Sequence, residues 1–136
     1  GSEEAFKWVD YEIPYRAAKI AQKQGLKHYL IITAMGADPK SFFFYNRVKG
    51  EIERDLANLD LSRLSILRPG LLTGDRDEQR LGESIAQTVS KVFSPLLPNA
   101  YKPIAGNTVA QAMIEIAKQD LKQHIFSSAE LQTLGK

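Results

Sequence analysis

Cysteine is absent from the 136 residues. That excludes a disulfide framework, a thiol nucleophile and thiolate metal ligands. Histidine is scarce: His28 and His124 are too few for a zinc site. No apolar stretch approaches the roughly 20 residues needed to cross a bilayer, so no membrane partner is expected. No signal peptide is visible, which points to the cytoplasm. Strong charge of one sign is lacking as well. The formal net charge is +2, and Arg63, Arg68, Arg76 and Arg80 are interspersed with acids. No basic run has aromatics threaded through it, so nucleic acid is not an expected partner.

What is present is an ordinary globular composition, 43% hydrophobic and 25% charged. The length fits one domain. Gly1-Ser2 read as the scar of an expression tag, which leaves 3–136 as a single domain.

The apolar periodicity orders the chain. Val9, Ile13, Ala17, Ile20 and Ala21 share a helical face from Val9 to Gln24, and Gly25 stops it. Pro14 is tolerable only near a first turn, so the regular part is expected to begin between Tyr11 and Pro14. His28 to Thr33 is a nearly continuous apolar run, as in a parallel strand covered on both faces. His28 itself reads as a strand-edge residue. Ala34 to Ser41 is a loop, Phe42 to Asn58 a helix, and Leu64 to Leu67 a second strand. This strand–helix–strand passage is a βαβ crossover. Beyond it come a charged loop from Leu71 to Gly82 and a helix from Glu83 to Phe93. A helix from Val109 to Lys118, a last strand from Gln123 to Phe126 and a short helix from Ser128 complete the chain. The run Phe42-Phe43-Phe44 reads as packing at a helix start.

One ordered set of residues carries a chemical hypothesis. Thr33 ends the first strand, Tyr45 and Lys49 follow on the next helix, and Arg68-Pro69-Gly70 ends the second strand. A Tyr-x-x-x-Lys pair arises easily in a chain with five Tyr and eleven Lys, and Tyr15 to Lys19 is another. Only Tyr45 follows a strand that ends in a hydroxyl. Positions i and i+4 share a helix face, so Tyr45 and Lys49 can point into one cleft. An ammonium about 5 Å from a phenolate, at an effective dielectric near 20, attracts it by roughly 3 kcal/mol. Thr33 would then hold a substrate oxygen, with Tyr45 as the acid/base group.

The segments KHYLIITAMGADPKS, FYNRVKGEIE and LSILRPGLLTGDR together resemble the atypical short-chain dehydrogenase/reductase group, more narrowly its Tat-interacting-protein-like branch. The resemblance implies a Rossmann-like, doubly wound parallel α/β sheet that binds NADP or NAD. It implies Tyr45 as general acid/base, Lys49 as its partner and ribose ligand, and Thr33 in the position usually held by Ser. Pro69 and Gly70 would line the nicotinamide end of the cofactor. Asp10 matches a position that is Asn in extended members, where it supports a proton relay through the Lys. An ionised carboxylate accepts but cannot donate, so Asp10 departs from that pattern.

The glycine-rich turn that opens such folds is missing, and with it the first strands. The chain therefore reads as the C-terminal part of an NAD(P)-dependent oxidoreductase or epimerase-like protein acting on a small carbonyl or alcohol. It is not expected to be active alone. A non-catalytic NAD(P)H-binding regulatory or protein-interaction protein is the alternative. Self-association, or pairing with the missing half, is expected at the open edge of the first strand.

Overall fold

The computed structural model describes residues 1–74 and 101–136. The expected helix from Glu83 to Phe93 and the charged cluster from Asp75 to Arg80 lie outside the described residues.

The N-terminal helical segment starts earlier than its apolar face announced. α1 spans Glu3–Lys7, a π-helical turn spans Trp8–Glu12, and α2 spans Ile13–Lys23. Ser2 begins it by accepting the Ala5 amide at 3.0 Å, a normal N-cap bond. Pro14 explains the π turn. In a regular α-helix its ring would press on the carbonyl four residues back, that of Asp10. Widening the turn, so that the Ile13 amide donates to the Trp8 carbonyl, accommodates the ring. Proline thus sits far inside the helical segment, contrary to the expected start near Tyr11 to Pro14. Gly25, at a φ of 74°, ends α2 as the sequence indicated.

Three strands form one parallel sheet in the order β1-β2-β5: β1 Tyr29–Ile32, β2 Leu64–Arg68 and β5 Gln123–Ser127. Tyr29 pairs with Leu64, and Leu64 with Gln123. α3, Phe44–Ala57, connects β1 to β2. A two-stranded parallel ribbon joins β3, Leu72–Thr73, to β4, Ile104–Ala105. α4, Gly106–Ala117, leads towards β5, and α5, Ser128–Leu134, closes the chain with a Ser127–Glu130 capping box.

Strand alternation sends β2 side chains to opposite faces. Leu64 and Ile66 pack with Ala18 of α2 and with Ile52 and Leu56 of α3. Leu67 packs on the other face with Ile104, Val109, Ala112, Ile116, Phe126 and Leu131. Each fully buried Leu or Ile contributes about 1.5–3 kcal/mol. The described residues thus form a mixed α/β unit, a small parallel sheet with helices on both faces. β2 is the strand buried on both sides. β1, expected in that role, is half-buried, with Ile32 40% exposed. It has a partner on one edge only among the described residues, so it lacks the cover that a second neighbour and its helix would bring.

Candidate functional site

The carboxyl ends of β1 and β2 run on together beyond the strands. The Thr33 amide donates to the Leu67 carbonyl at 2.8 Å, and the Met35 amide to Pro69 at 3.0 Å. The Gly70 amide donates to Ser128 Oγ at 3.0 Å. Leu71 and Leu72 then lead into the β3–β4 ribbon. Between these segments and the start of α3 lies an open cleft of about 540 Å³, lined by Thr33, Met35, Tyr45, Pro69, Gly70 and Leu72 among others. Four of the five residues singled out in the sequence meet there.

Their bonding differs from the expected acid/base set. Thr33 is buried and donates its hydroxyl to Glu53 Oε1 at 2.5 Å. Glu53 is buried too and takes the Arg68 guanidinium on both carboxylate oxygens, Nε at 3.0 and 3.2 Å and Nη2 at 2.5 Å. That hydrogen bonding holds the Arg68 guanidinium above its ordinary value. Thr33 keeps only its acceptor lone pairs for a ligand. Tyr45 is half-exposed at the mouth, its ring 5.4 Å from Phe6.

Lys49 does not line the cleft. Its ammonium sits 5.7 Å from the centre of the Tyr45 ring and pairs with the Asp10 carboxylate. Asp10 at contact distance offsets most of the field that a lone ammonium would place on the phenol. The π turn brings Asp10 there. Its next residue, Tyr11, reaches the same helix and donates to Asp55 Oδ2 at 2.5 Å. Burial, and then this bond, push the Tyr11 phenol far above its ordinary range. Asp55 is held below the usual carboxylate range by Arg54 and by Tyr11, against the effect of burial.

Sequence reasoning missed Glu53, Arg68 as its partner, Ser128 and Gly50. A signal for Glu53 existed, since Tyr45, Lys49 and Glu53 form one i, i+4, i+8 stripe on α3. Gly50 had none. A Cβ there would meet Pro39 N at 2.1 Å and the Asp38 carbonyl carbon at 2.2 Å. Glycine is what lets the loop after β1 lie directly on α3. The aromatic run divides. Phe44 packs on Phe6 at 5.7 Å, while Phe42 and Phe43 are 93% and 70% exposed, so the packing expectation fails for both. Tyr15 and Lys19 lie on α2, outside the cleft lining. Among the described residues no group of three or more His, Cys, Asp or Glu could hold a metal ion. No described helix is long and apolar enough to cross a membrane.

Fold and site together define an α/β protein with an open cleft at the carboxyl ends of a parallel sheet, its polar groups largely bonded to one another. The chain belongs to the HIM1 family, whose description matches residues 2–104. It is similar to the Candida albicans protein named "Protein FMP52, mitochondrial", 40% identical over 123 residues that cover 89% of this chain and 54% of that protein. A protein of the same name from Eremothecium gossypii is 37% identical over 145 positions, covering 100% of this chain and 63% of its own length. The Emericella nidulans protein fmp52, mitochondrial, is 42% identical over 100 residues, 71% of this chain and 43% of that one. The chain spans little more than half the length of the first two.

These findings correct three expectations. The family is HIM1, not the short-chain dehydrogenase/reductase group, and the relatives described above carry the name FMP52. The cytoplasmic expectation gives way to relatives named mitochondrial. The NAD(P)-dependent oxidoreductase reading falls with the resemblance that carried it. The physical reason is that residue order does not fix bonding. Thr33 and Lys49 are engaged by two carboxylates, Glu53, which the motif does not include, and Asp10, which stands where the resemblance has Asn.

Proposed function

We propose that the cleft is a binding site for a small organic ligand with a flat apolar part and hydroxyl groups, and that in the complete protein this ligand is a nicotinamide dinucleotide, NAD or NADP. One observation carries the reading: Thr33, Tyr45, Pro69 and Gly70 line a single cleft at the carboxyl ends of parallel strands. Open parallel α/β sheets bind ligands at that edge. Met35, Pro69 and Leu72 supply apolar contact, and the Tyr45 phenol and Thr33 lone pairs supply hydrogen bonds. In this reading the three-stranded sheet is the C-terminal part of a larger doubly wound, Rossmann-like sheet. Its phosphate cradle belongs to the rest of the complete protein. The work is done in mitochondria, as the relatives' names suggest; fractionation of cells expressing the tagged complete protein tests that.

The binding test is titration of the complete protein with NADH and NADPH, followed by nicotinamide fluorescence. Saturable binding is expected, weakened about tenfold, or about 1.4 kcal/mol, by Gly70→Val and less by Tyr45→Phe. A folded complete protein that binds neither nucleotide ends the dinucleotide reading. Binding that Gly70→Val leaves untouched puts the ligand elsewhere.

A further inference from the structure

We infer that Glu53 sets the hydrogen-bond polarity of the cleft: it claims the Thr33 hydroxyl hydrogen, leaves Thr33 as an acceptor only, and so selects an uncharged apolar ligand that presents a hydroxyl over one that presents a carbonyl or an anionic group. The inference rests on the reading of the cleft as a ligand site and not on the dinucleotide.

The polarity follows from the bonding beneath the cleft. A hydroxyl has one hydrogen to donate. Thr33 gives its own to Glu53 Oε1 at 2.5 Å. Glu53 keeps only 6% of its side chain exposed, and both its oxygens take the Arg68 guanidinium. An ionised carboxylate accepts only, so it offers Thr33 no hydrogen in exchange. Hydrogen bonds to an ionised acceptor are about twice as strong as neutral ones. Turning the Thr33 hydrogen towards a ligand carbonyl would trade a charge-assisted bond for a neutral one and leave a buried carboxylate oxygen with one partner fewer. A ligand hydroxyl meets no such conflict, because it donates to the Thr33 lone pairs.

The rest of the lining narrows the ligand further. Among the described residues no charged side chain lines the cleft. Lys49 and Arg68 are paired with Asp10 and Glu53. A carboxylate or phosphate would enter this cleft without a counter-ion, which costs far more than an unpaired neutral group. Met35, Pro69, Leu71 and Leu72 make the wall apolar, and both leucines are exposed. Such a wall favours hydrocarbon on the ligand. The Tyr45 phenol donates and accepts, and so does not discriminate. Discrimination falls on Thr33 and, through it, on Glu53 as a positioning residue.

The test is an NMR titration of the complete protein with three probes that share a phenyl ring: 1-phenylethanol, acetophenone and benzoate. The amides of Met35, Gly70 and Leu72 report on the cleft. 1-Phenylethanol should bind about tenfold more tightly than acetophenone, and benzoate should leave those amides unmoved. Thr33→Val should erase the preference. Glu53→Gln should reverse it: Arg68 takes the carboxamide oxygen, the carboxamide N–H donates to Thr33 Oγ, and the Thr33 hydrogen turns to the cleft as a donor for acetophenone. A merely structural role for Glu53 would weaken both probes alike. The inference is overturned by acetophenone binding as tightly as 1-phenylethanol, by benzoate moving the cleft amides, or by an alcohol preference that survives Thr33→Val or Glu53→Gln. Cleft amides that 1-phenylethanol leaves unmoved at millimolar concentration overturn it as well. Where Glu53→Gln does not fold, the wild-type ratio and its loss in Thr33→Val decide alone. Nucleotide binding without an alcohol preference sinks this inference and spares the dinucleotide reading. An alcohol preference without nucleotide binding does the reverse.

Discussion

The two ends of the sheet are built from the same kinds of group and come out differently. At the amino end Arg63 clamps the chain, donating to the Lys27 carbonyl at 3.4 Å and the Gln119 carbonyl at 2.8 Å. His28 Nε2 lies 2.8 Å from Ser65 Oγ beside it. At the carboxyl end Glu53 gathers Thr33 and Arg68, but the loops beyond them separate around a cleft. A cation on carbonyls draws loops together over the strand ends. A buried carboxylate beneath the strand ends fixes the floor and leaves the space above it open. Substitutions at the amino end should therefore change stability alone, while those at the carboxyl end should change stability and ligand binding together.

The largest effect is expected from Gly50→Ala. The added Cβ cannot coexist with the backbone of Asp38 and Pro39, and forced overpacking of this kind costs about 3 kcal/mol. Chemical denaturation measures it, and a loss under about 0.5 kcal/mol would mean that the loop does not rest on α3 in solution. Next comes Glu53→Ala, which strands Arg68 and removes the acceptor of Thr33. Breaking a buried pair costs about 3–5 kcal/mol; with the Arg68 side chain 31% exposed, about 2–3 is expected. The same variant should weaken ligand binding, and unchanged affinity would separate the floor from the cleft.

Arg63→Ala, at the other end, should cost about 1–2 kcal/mol through lost charged hydrogen bonds to carbonyls. It should leave binding alone. Any effect on affinity would break the division between the two ends.

The smallest effect concerns acid. Burial first, and the Arg63 charge second, lower the His28 value below its ordinary 6.5. The folded protein therefore binds fewer protons there than the unfolded chain. Stability is fully present above about 6.5 and falls as pH drops through that value towards the lower folded one. His28→Gln should flatten this slope in urea midpoints measured across the window. A slope that survives the substitution assigns the titration to another group.

The comparison of ends was partly legible in advance. The three strands of the parallel sheet, α3, the C-terminal helix and the positions of Thr33 and Tyr45 followed from apolar runs and their punctuation; Pro69 and Gly70 came from the resemblance, and the β3–β4 ribbon was not read at all. Glu53 was not legible as a buried residue, because a charged residue on a helix usually faces water. Ser128 looked like a helix start, and only contact across the sheet makes it the anchor of Gly70. The π turn is hidden because Pro14 reads as a helix boundary, where in the fold a widened turn absorbs it.

By itself the sequence determined the order of the three sheet strands and of α3, α4 and α5, the α/β class and the hydroxyl at the end of β1. Local periodicity and turn chemistry act over a few residues and need no partner. Tertiary structure alone decided that β2 and not β1 is the doubly covered strand, and that Lys49 answers to Asp10 and Thr33 to Glu53. Those outcomes depend on groups 39 and 20 residues apart, and burial of a charge is settled only by which partner the fold brings within reach.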